Sequence, residues 1–247
     1  MATGILRIQA FAARQSSPVE GVTVNVSGDG FTATRLTDAE GNAADVTLTT
    51  PACALSLDED NTTQAPYAVC SLVASKPGYR TIRIQGVQVF PGQVTLAQPE
   101  MIPDTEEIRD PLNAPIIIPP HSLFTGDGGS GPTPSLACVP RVLDRVIIPK
   151  NITVHLGRPA ASAQNVTVSF RRYIANVASS EVYPTWPEQA LRANIHCQIS
   201  LALNRIYTEW YPSKGYTFNI TNSTSYDQYY VHGRTVFDVC LLYTSDA

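Results

Sequence analysis

The hydrophobic period changes once along the chain, and that change narrows the folds open to it. Between residues 3 and 103 apolar and polar side chains alternate, with Leu6, Ile8 and Ala10 opposed to Ile5, Arg7 and Gln9. Further on, Leu191, Ile195, Ile199, Ala202, Ile206 and Trp210 follow at intervals of four, four, three, four and four. A period of two lets a strand bury one face and wet the other. A period near 3.6 draws a single apolar stripe on a helix. With the two patterns in separate halves, the expected fold class is α+β with two domains. Residues 1–103 read as an all-β sandwich, and residues 146–239 as an α+β domain with a β-hairpin and one long helix.

The strand runs of the first half are short and closely punctuated. Val22–Val26, Phe31–Leu36, Ala44–Leu48, Tyr67–Ser75, Tyr79–Ile84, Val87–Phe90 and Gln93–Ala97 are separated by turns such as Gly28-Asp29-Gly30 and Asp38-Ala39-Glu40-Gly41. That rhythm is the signature of a sandwich. Residues 104–145 read as a linker. Pro119-Pro120 excludes helix and central strand, and Gly126–Pro134 is rich in Gly and Pro. Within it, Ile116-Ile117-Ile118 is too apolar to be solvated and is expected to pack on a domain. The acidic run Asp58-Glu59-Asp60, in the insert Pro51–Ala65, lacks the ligand spacing of a calcium loop and reads as solvated.

In the second half, Val146–Ile148 and Ile152–Leu156 read as strand, and Asn165–Phe170 as the returning arm of a hairpin. Tyr173, Ile174, Val177 and Ala178 suit the inner face of a short helix ending in Ser179-Ser180-Glu181. A Val-Tyr-Pro-Thr turn follows. Thr185-Trp186-Pro187-Glu188 has the capping-box pattern for the start of the long helix. Pro212 and Gly215 mark its end. His196 and Cys197 fall inside it, where packing roles are expected. Tyr216–Ile220 reads as strand, followed by a polar, aromatic loop to Tyr230.

Composition removes several function classes. The formal charge is −4 and no basic cluster is present, so no nucleic-acid partner is expected. No segment approaches the ~20 apolar residues of a membrane span. The five cysteines include no C-x-x-C pair, and there are only four histidines, which gives a zinc site little support. Cys53 and Cys70 bracket a loop; a bridge and a simply buried Cys70 are both open. No signal peptide pattern opens the sequence. The final octapeptide, Cys240–Ala247, resembles the translation of a sequencing adapter, so the natural chain is expected to continue past about Val239 and residues 146–239 to be an incomplete domain.

Glu181 is the residue of chemical interest. A lone carboxyl at a helix end, beside Tyr183 and Trp186, is either a general acid with a raised pKa or an ordinary surface glutamate.

Two resemblances add to this reading. Gly4-Ile-Leu-Arg-Ile8, Pro18–Val24, Thr37-Asp38-Ala39-Glu40-Gly41 and Lys76-Pro77-Gly78-Tyr79 resemble the carboxypeptidase regulatory-like family. This implies a transthyretin/Ig-like sandwich over residues 3–103, acting as a structural or accessory module. Tyr173-Ile-x-x-Val177, Ser180-Glu181-x-x-Pro184, Trp186-Pro-x-x-Ala190-Leu191-x-Ala193 and Gln228-x-Tyr230 resemble the stage II sporulation protein D family, which includes amidase enhancers. That resemblance implies a bacterial, cell-wall or spore-associated protein acting on peptidoglycan glycan strands as a lytic transglycosylase. Glu181 would be its catalytic acid and base, with Tyr183, Trp186, Gln228 and Tyr230 as substrate-binding residues. Thr224, Ser225, Tyr226 and Asp227 stand where the family has its zinc-associated Cys and His, so no metal or cofactor is expected. A non-catalytic glycan-binding or structural protein of the same fold is the alternative.

Overall fold

The computed structural model describes residues 2–12, 16–105, 115–125 and 147–244. Cys138, the Gly126–Pro134 stretch and Val146 lie outside them. The chain is a mixed α/β protein, mostly sheet, with one long helix. In order, the strands are β1 (Ala2–Gln9), β2 (Phe11–Ala12), β3 (Ser17–Pro18), β4 (Thr23–Gly28), β5 (Phe31–Leu36), β6 (Asn42–Thr50), β7 (Ala68–Ser75), β8 (Ile82–Val89), β9 (Val94–Ala97), β10 (Ile116–Ile117), β11 (Asn151–His155), β12 (Asn165–Ser169), β13 (Ile220–Thr221) and β14 (Val236–Phe237). The helices are α1 (Ser122–Thr125), α2 (Phe170–Glu181), α3 (Glu188–Tyr207) and α4 (Asp238–Tyr243).

Two sheets enclose the first core. One runs β14-β9-β1-β6 and the other β10-β8-β7-β4-β5. The alternation of the sequence decides what faces inward: Leu6 and Ile8 from β1, Val24 and Val26 from β4, Val46 and Leu48 from β6, Leu72 and Ala74 from β7, and Ile82 and Ile84 from β8 are all buried together. The Thr37–Gly41 turn has a plain physical basis. Thr37 Oγ1 donates to Val19 O and accepts from Val22 N, while Asp38 Oδ1 accepts from Glu40 N and Asn42 N. Gly41 closes the turn at φ 75°, and a Cβ there would lie 2.4 Å from Ala10 O.

Each sheet takes an edge strand from later in the chain. β10 lies parallel to β8, with Ile116 opposite Ile84 and Ile118 buried in the same core. Ile116 and Ile118 therefore pack on the sheets as expected, while Ile117 between them faces outward and is exposed. β14 pairs antiparallel with β9, Val236 opposite Leu96. A second core joins Tyr67 and Phe90 to α2, α3, β11 and β13, through Tyr173, Ile174, Val177, Leu191, Ile195 and Ile220.

β11 and β12 form the expected antiparallel hairpin, Ile152 opposite Val168, and β13 adds in parallel to β11. The strand read over Tyr216–Ile220 shrinks to Ile220–Thr221, because Tyr216 and Phe218 are drawn into ring contacts with Tyr211 instead. Ile147 and Ile148 are exposed and outside any strand; the Ile147 backbone bonds in both directions with the Tyr207 hydroxyl. Cys53 and Cys70 are free, and Cys70 is buried in β7.

The start of α3 corrects the capping-box reading. The helix begins at Glu188 with Pro187 as its N-cap and no side-chain cap bond. A capping box needs its Glu three residues after the cap, but Glu188 is the first helical residue. It pairs forward with Arg192 at 2.8 Å, and Thr185 Oγ1 donates to Ser56 Oγ in the Pro51–Ala65 insert. At the other end the helix stops at Tyr207, and Pro212 and Gly215 shape the 3-10 turn beyond it. His196 and Cys197 are exposed, not packed, since they stand on the face away from Leu191 and Ile195.

Candidate functional site

α2 is buried at nine of its twelve positions, and its small residues Ala175, Ala178, Ser179 and Ser180 let neighbours approach closely. Ser169 caps it by accepting from Arg172 N. It ends at Glu181, after which Val182 turns to extended geometry at φ −130°, ψ 147°. The backbone on either side of Glu181 is pinned. Ser122 Oγ donates to Ser180 O at 2.6 Å, and Arg234 Nη1 donates to Ser180 Oγ at 2.8 Å. His121 lies behind the corner, with Nδ1 accepting from Leu123 N, which leaves the proton on Nε2, 3.3 Å from Val182 O.

The Glu181 side chain is half-buried and held at both oxygens. Oε1 accepts from Tyr229 N at 2.8 Å, and Oε2 accepts from Gln198 Nε2 at 2.8 Å. Burial pushes its pKa above the ordinary carboxyl value, against the two donors, which favour the charged form. The result is a carboxyl that releases its proton less readily than an ordinary one, fixed in one orientation.

The other sequence-selected residues fall into two groups. Tyr183 is buried among Phe90 at 5.3 Å, His121 at 4.6 Å and Trp186 at 6.3 Å between ring centroids. Burial lifts its phenol to about 12. Trp186 is half-buried beside it. Gln228 and Tyr230 lie on the inner side. Gln228 is 5% exposed; its Oε1 accepts from Tyr173 OH and its Nε2 donates to Gln198 O. Tyr230, 4% exposed, stacks on Tyr173 at 5.5 Å and shares a hydrogen bond with His232 Nδ1. Gln198 therefore links Glu181 to Gln228, while Tyr183 and Trp186 stand in a separate aromatic cluster.

Sequence reasoning missed Gln198, Asp227, His121 and Arg234. Asp227 carries the loop that presents Tyr229 N. Its Oδ1 accepts from Arg205 Nε at 2.6 Å, and its Oδ2 accepts from Tyr211 OH, Thr221 N and Thr221 Oγ1. Gln198 had a signal: it sits three residues after Ile195, in the path of the apolar stripe, where a polar residue is out of place. Arg234 is buried against neutral acceptors, Ser180 Oγ, Thr235 O and Gln88 Oε1.

A cavity of about 120 Å³ opens at the seam between the sheets and α2, lined by Arg172, Asn176, Gln98, Glu100, Tyr230 and His232 among others. Of the sequence-selected residues it includes Tyr230 alone. Among the described residues no three His, Cys, Asp or Glu side chains gather into a possible metal site. No helix of the described residues is long and apolar enough to cross a membrane.

No family model and no curated protein matches the chain. Among solved structures, it is similar to the Bacillus anthracis TIE protein at 15% identity and a TM-score of 0.30, over 42% of this chain and 17% of that one. A putative membrane-associated protein of unknown function from Bacteroides fragilis NCTC 9343 matches at 14% identity and 0.25, over 43% and 30%. The 3-chlorocatechol 1,2-dioxygenase from Rhodococcus opacus 1CP matches at 15% identity and 0.26, over 41% and 56%. The chain thus spans well under two thirds of each of these structures, and the likeness is confined to part of its own length.

Proposed function

We propose that the protein acts on peptidoglycan glycan strands as a lytic transglycosylase, with Glu181 serving as acid and then base. The observation that carries this reading is the Glu181 carboxyl, half-buried at a helix end, its pKa raised by burial above the ordinary carboxyl value, and oriented by Tyr229 N and Gln198 Nε2. In the first step its proton passes to the glycosidic oxygen as the bond from that oxygen to the anomeric carbon breaks. In the second the carboxylate takes the proton of a hydroxyl of the same sugar, whose oxygen closes on the anomeric carbon. One carboxyl suffices, unlike the two of glycoside hydrolases. In this reading the half-buried Trp186 contacts the sugar with Tyr183 packed behind it, residues 1–103 form a transthyretin/Ig-like accessory module, and Gln228 and Tyr230 brace the site from beneath. The test is to incubate the full chain with denuded glycan strands and look for anhydro-muramyl ends. Products from the wild type and none from Glu181→Gln are expected; equal product from both overturns the assignment.

A second reading, a non-catalytic glycan-binding protein of the same fold, is favoured by one observation: the seam cavity that includes Tyr230 is not lined by Glu181. Binding of glycan strands unchanged by Glu181→Gln, with no cleavage, would select it.

A further inference from the structure

The polarity of the groups around Glu181 is decided one bond at a time, and it leaves one donor over. Oε1 is taken by the backbone N–H of Tyr229. Oε2 of the carboxylate can only accept, so Gln198 turns its amide nitrogen toward it, at 2.8 Å. That nitrogen has a second hydrogen, and Asn194 Oδ1 accepts it at 2.7 Å. Asn194 therefore points its oxygen at Gln198, and its Nδ2, which only donates, takes the other branch of the amide. Nδ2 meets no acceptor among the described residues. Unlike Gln198 Oε1, which is enclosed without a partner, it is open to solvent.

This donor stands beside the carboxyl. Asn194 Oδ1 and Glu181 Oε2 accept from the same nitrogen, so the two oxygens are no further apart than two hydrogen bonds laid end to end. Asn194 is half-buried, and Ala190, four residues earlier and so on the same face of α3, is exposed. The surface next to Glu181 thus offers a donor without an acceptor, beside a single methyl group. An acetamido group matches both, because its carbonyl oxygen only accepts and its methyl is apolar. A hydroxyl matches less well, because its hydrogen finds no acceptor on the branch that Asn194 presents.

We propose that Asn194 selects N-acetylated sugars, its Nδ2 donating to the acetamido carbonyl of a sugar seated at Glu181. This rests on the reading that a glycan occupies the Glu181 site, and it names the sugar feature that the site recognises. The test is calorimetric titration of the full chain with N-acetylated chitotetraose and with cellotetraose, which is also uncharged and carries a hydroxyl in place of each acetamido group. Tighter binding of the acetylated tetramer is expected. Asn194→Ala should weaken that binding by about three- to tenfold, the loss of one hydrogen bond, and affect cellotetraose less. Asn194→Asp keeps an oxygen for Gln198 and loses the donor, so it should narrow the gap as well. A role confined to holding Gln198 would leave the gap in Asn194→Asp at its wild-type size. No binding of the acetylated tetramer, equal affinity for the two tetramers in the wild type, or an unchanged gap in a folded Asn194→Ala protein overturns the proposal. Should Asn194→Ala fail to fold, an unchanged gap in Asn194→Asp overturns it instead. Anhydro-muramyl ends are scored separately on glycan strands. A gap that closes in the variants supports the proposal even where no such ends form, and cleavage without a gap in the wild type overturns it while the transglycosylase reading stands.

Discussion

Gln198 donates one amide to two acceptors, Glu181 Oε2 at 2.8 Å and Asn194 Oδ1 at 2.7 Å. It does so from the buried face of α3, one turn after Asn194, and so ties the helix that follows the Glu181 corner to the helix that precedes it. Because the bond from Gln198 favours the charged carboxylate, its removal leaves burial less opposed. Gln198→Leu is therefore expected to raise the Glu181 pKa further. A carbon-detected NMR titration of the Glu181 side chain in both proteins checks the direction, and a downward or absent change contradicts it.

His121 gives the molecule an acid sensitivity. Burial, and next the charge of Arg234, lower its pKa from 6.5 to about 3, with the bond to Val182 O opposing. The folded state refuses a proton that the unfolded chain accepts from pH 6.5 downward. The stability His121 contributes is therefore complete above pH 6.5 and drains away as pH falls toward 3. Urea unfolding at pH 7 and pH 4 should show a smaller loss in His121→Phe than in the wild type. Equal losses would contradict the assignment.

How much of this was legible in the sequence depended on whether a residue's partners were local. Most strands of the first half, the hairpin, the Glu181 corner and the existence of a long helix rest on local periodicity and turn chemistry and could be read directly, whereas the separate runs Tyr79–Ile84 and Val87–Phe90 are one strand, β8, over Ile82–Val89. The face of that helix could not be read in full. The apolar stripe pointed through Ile199 and Ile206, yet the buried positions are Leu191, Ile195, Gln198, Ala202 and Arg205. Two polar residues displaced the stripe because each has a buried acceptor elsewhere in the chain, Glu181 for one and Asp227 for the other. The same holds for Gln228, which a motif presented as a contact for substrate and which the fold uses to join Tyr173 to α3. β14 escaped notice because two residues carry no period; its place beside β9 is decided by tertiary packing.

Thr185 and Ser56 test the correction at the start of α3 directly. If Thr185 capped the helix, Thr185→Ala would cost about 1 kcal/mol whatever stood at position 56. In the observed arrangement the hydroxyl reaches the Pro51–Ala65 insert, 2.8 Å from Ser56 Oγ. Thr185→Ala and Ser56→Ala should therefore be non-additive. A double-mutant cycle by urea unfolding is expected to give a coupling of about 0.5–1.5 kcal/mol. A coupling near zero would restore the capping role.

The loop after β13 should depend more on Asp227 than on any other side chain in it. Four donors converge on its carboxylate, from Arg205, Tyr211 and the backbone and hydroxyl of Thr221, and its side chain is fully buried. Such a site needs an acceptor at both oxygens. An amide supplies only one and turns a donor toward donors. Asp227→Asn, though the same shape, also leaves the nearly buried Arg205 without its counter-charge, and is expected to destabilise the protein by about 3–5 kcal/mol. The consequence extends to Glu181, because Tyr229, two residues on, supplies the backbone N–H that holds Oε1. If the loop loosens before the whole protein unfolds, hydrogen exchange at Tyr229 N should quicken in Asp227→Asn while exchange in β4 and β7 stays slow. Exchange at Tyr229 unchanged in the variant would show that α2 and α3, rather than Asp227, fix the donor on Glu181.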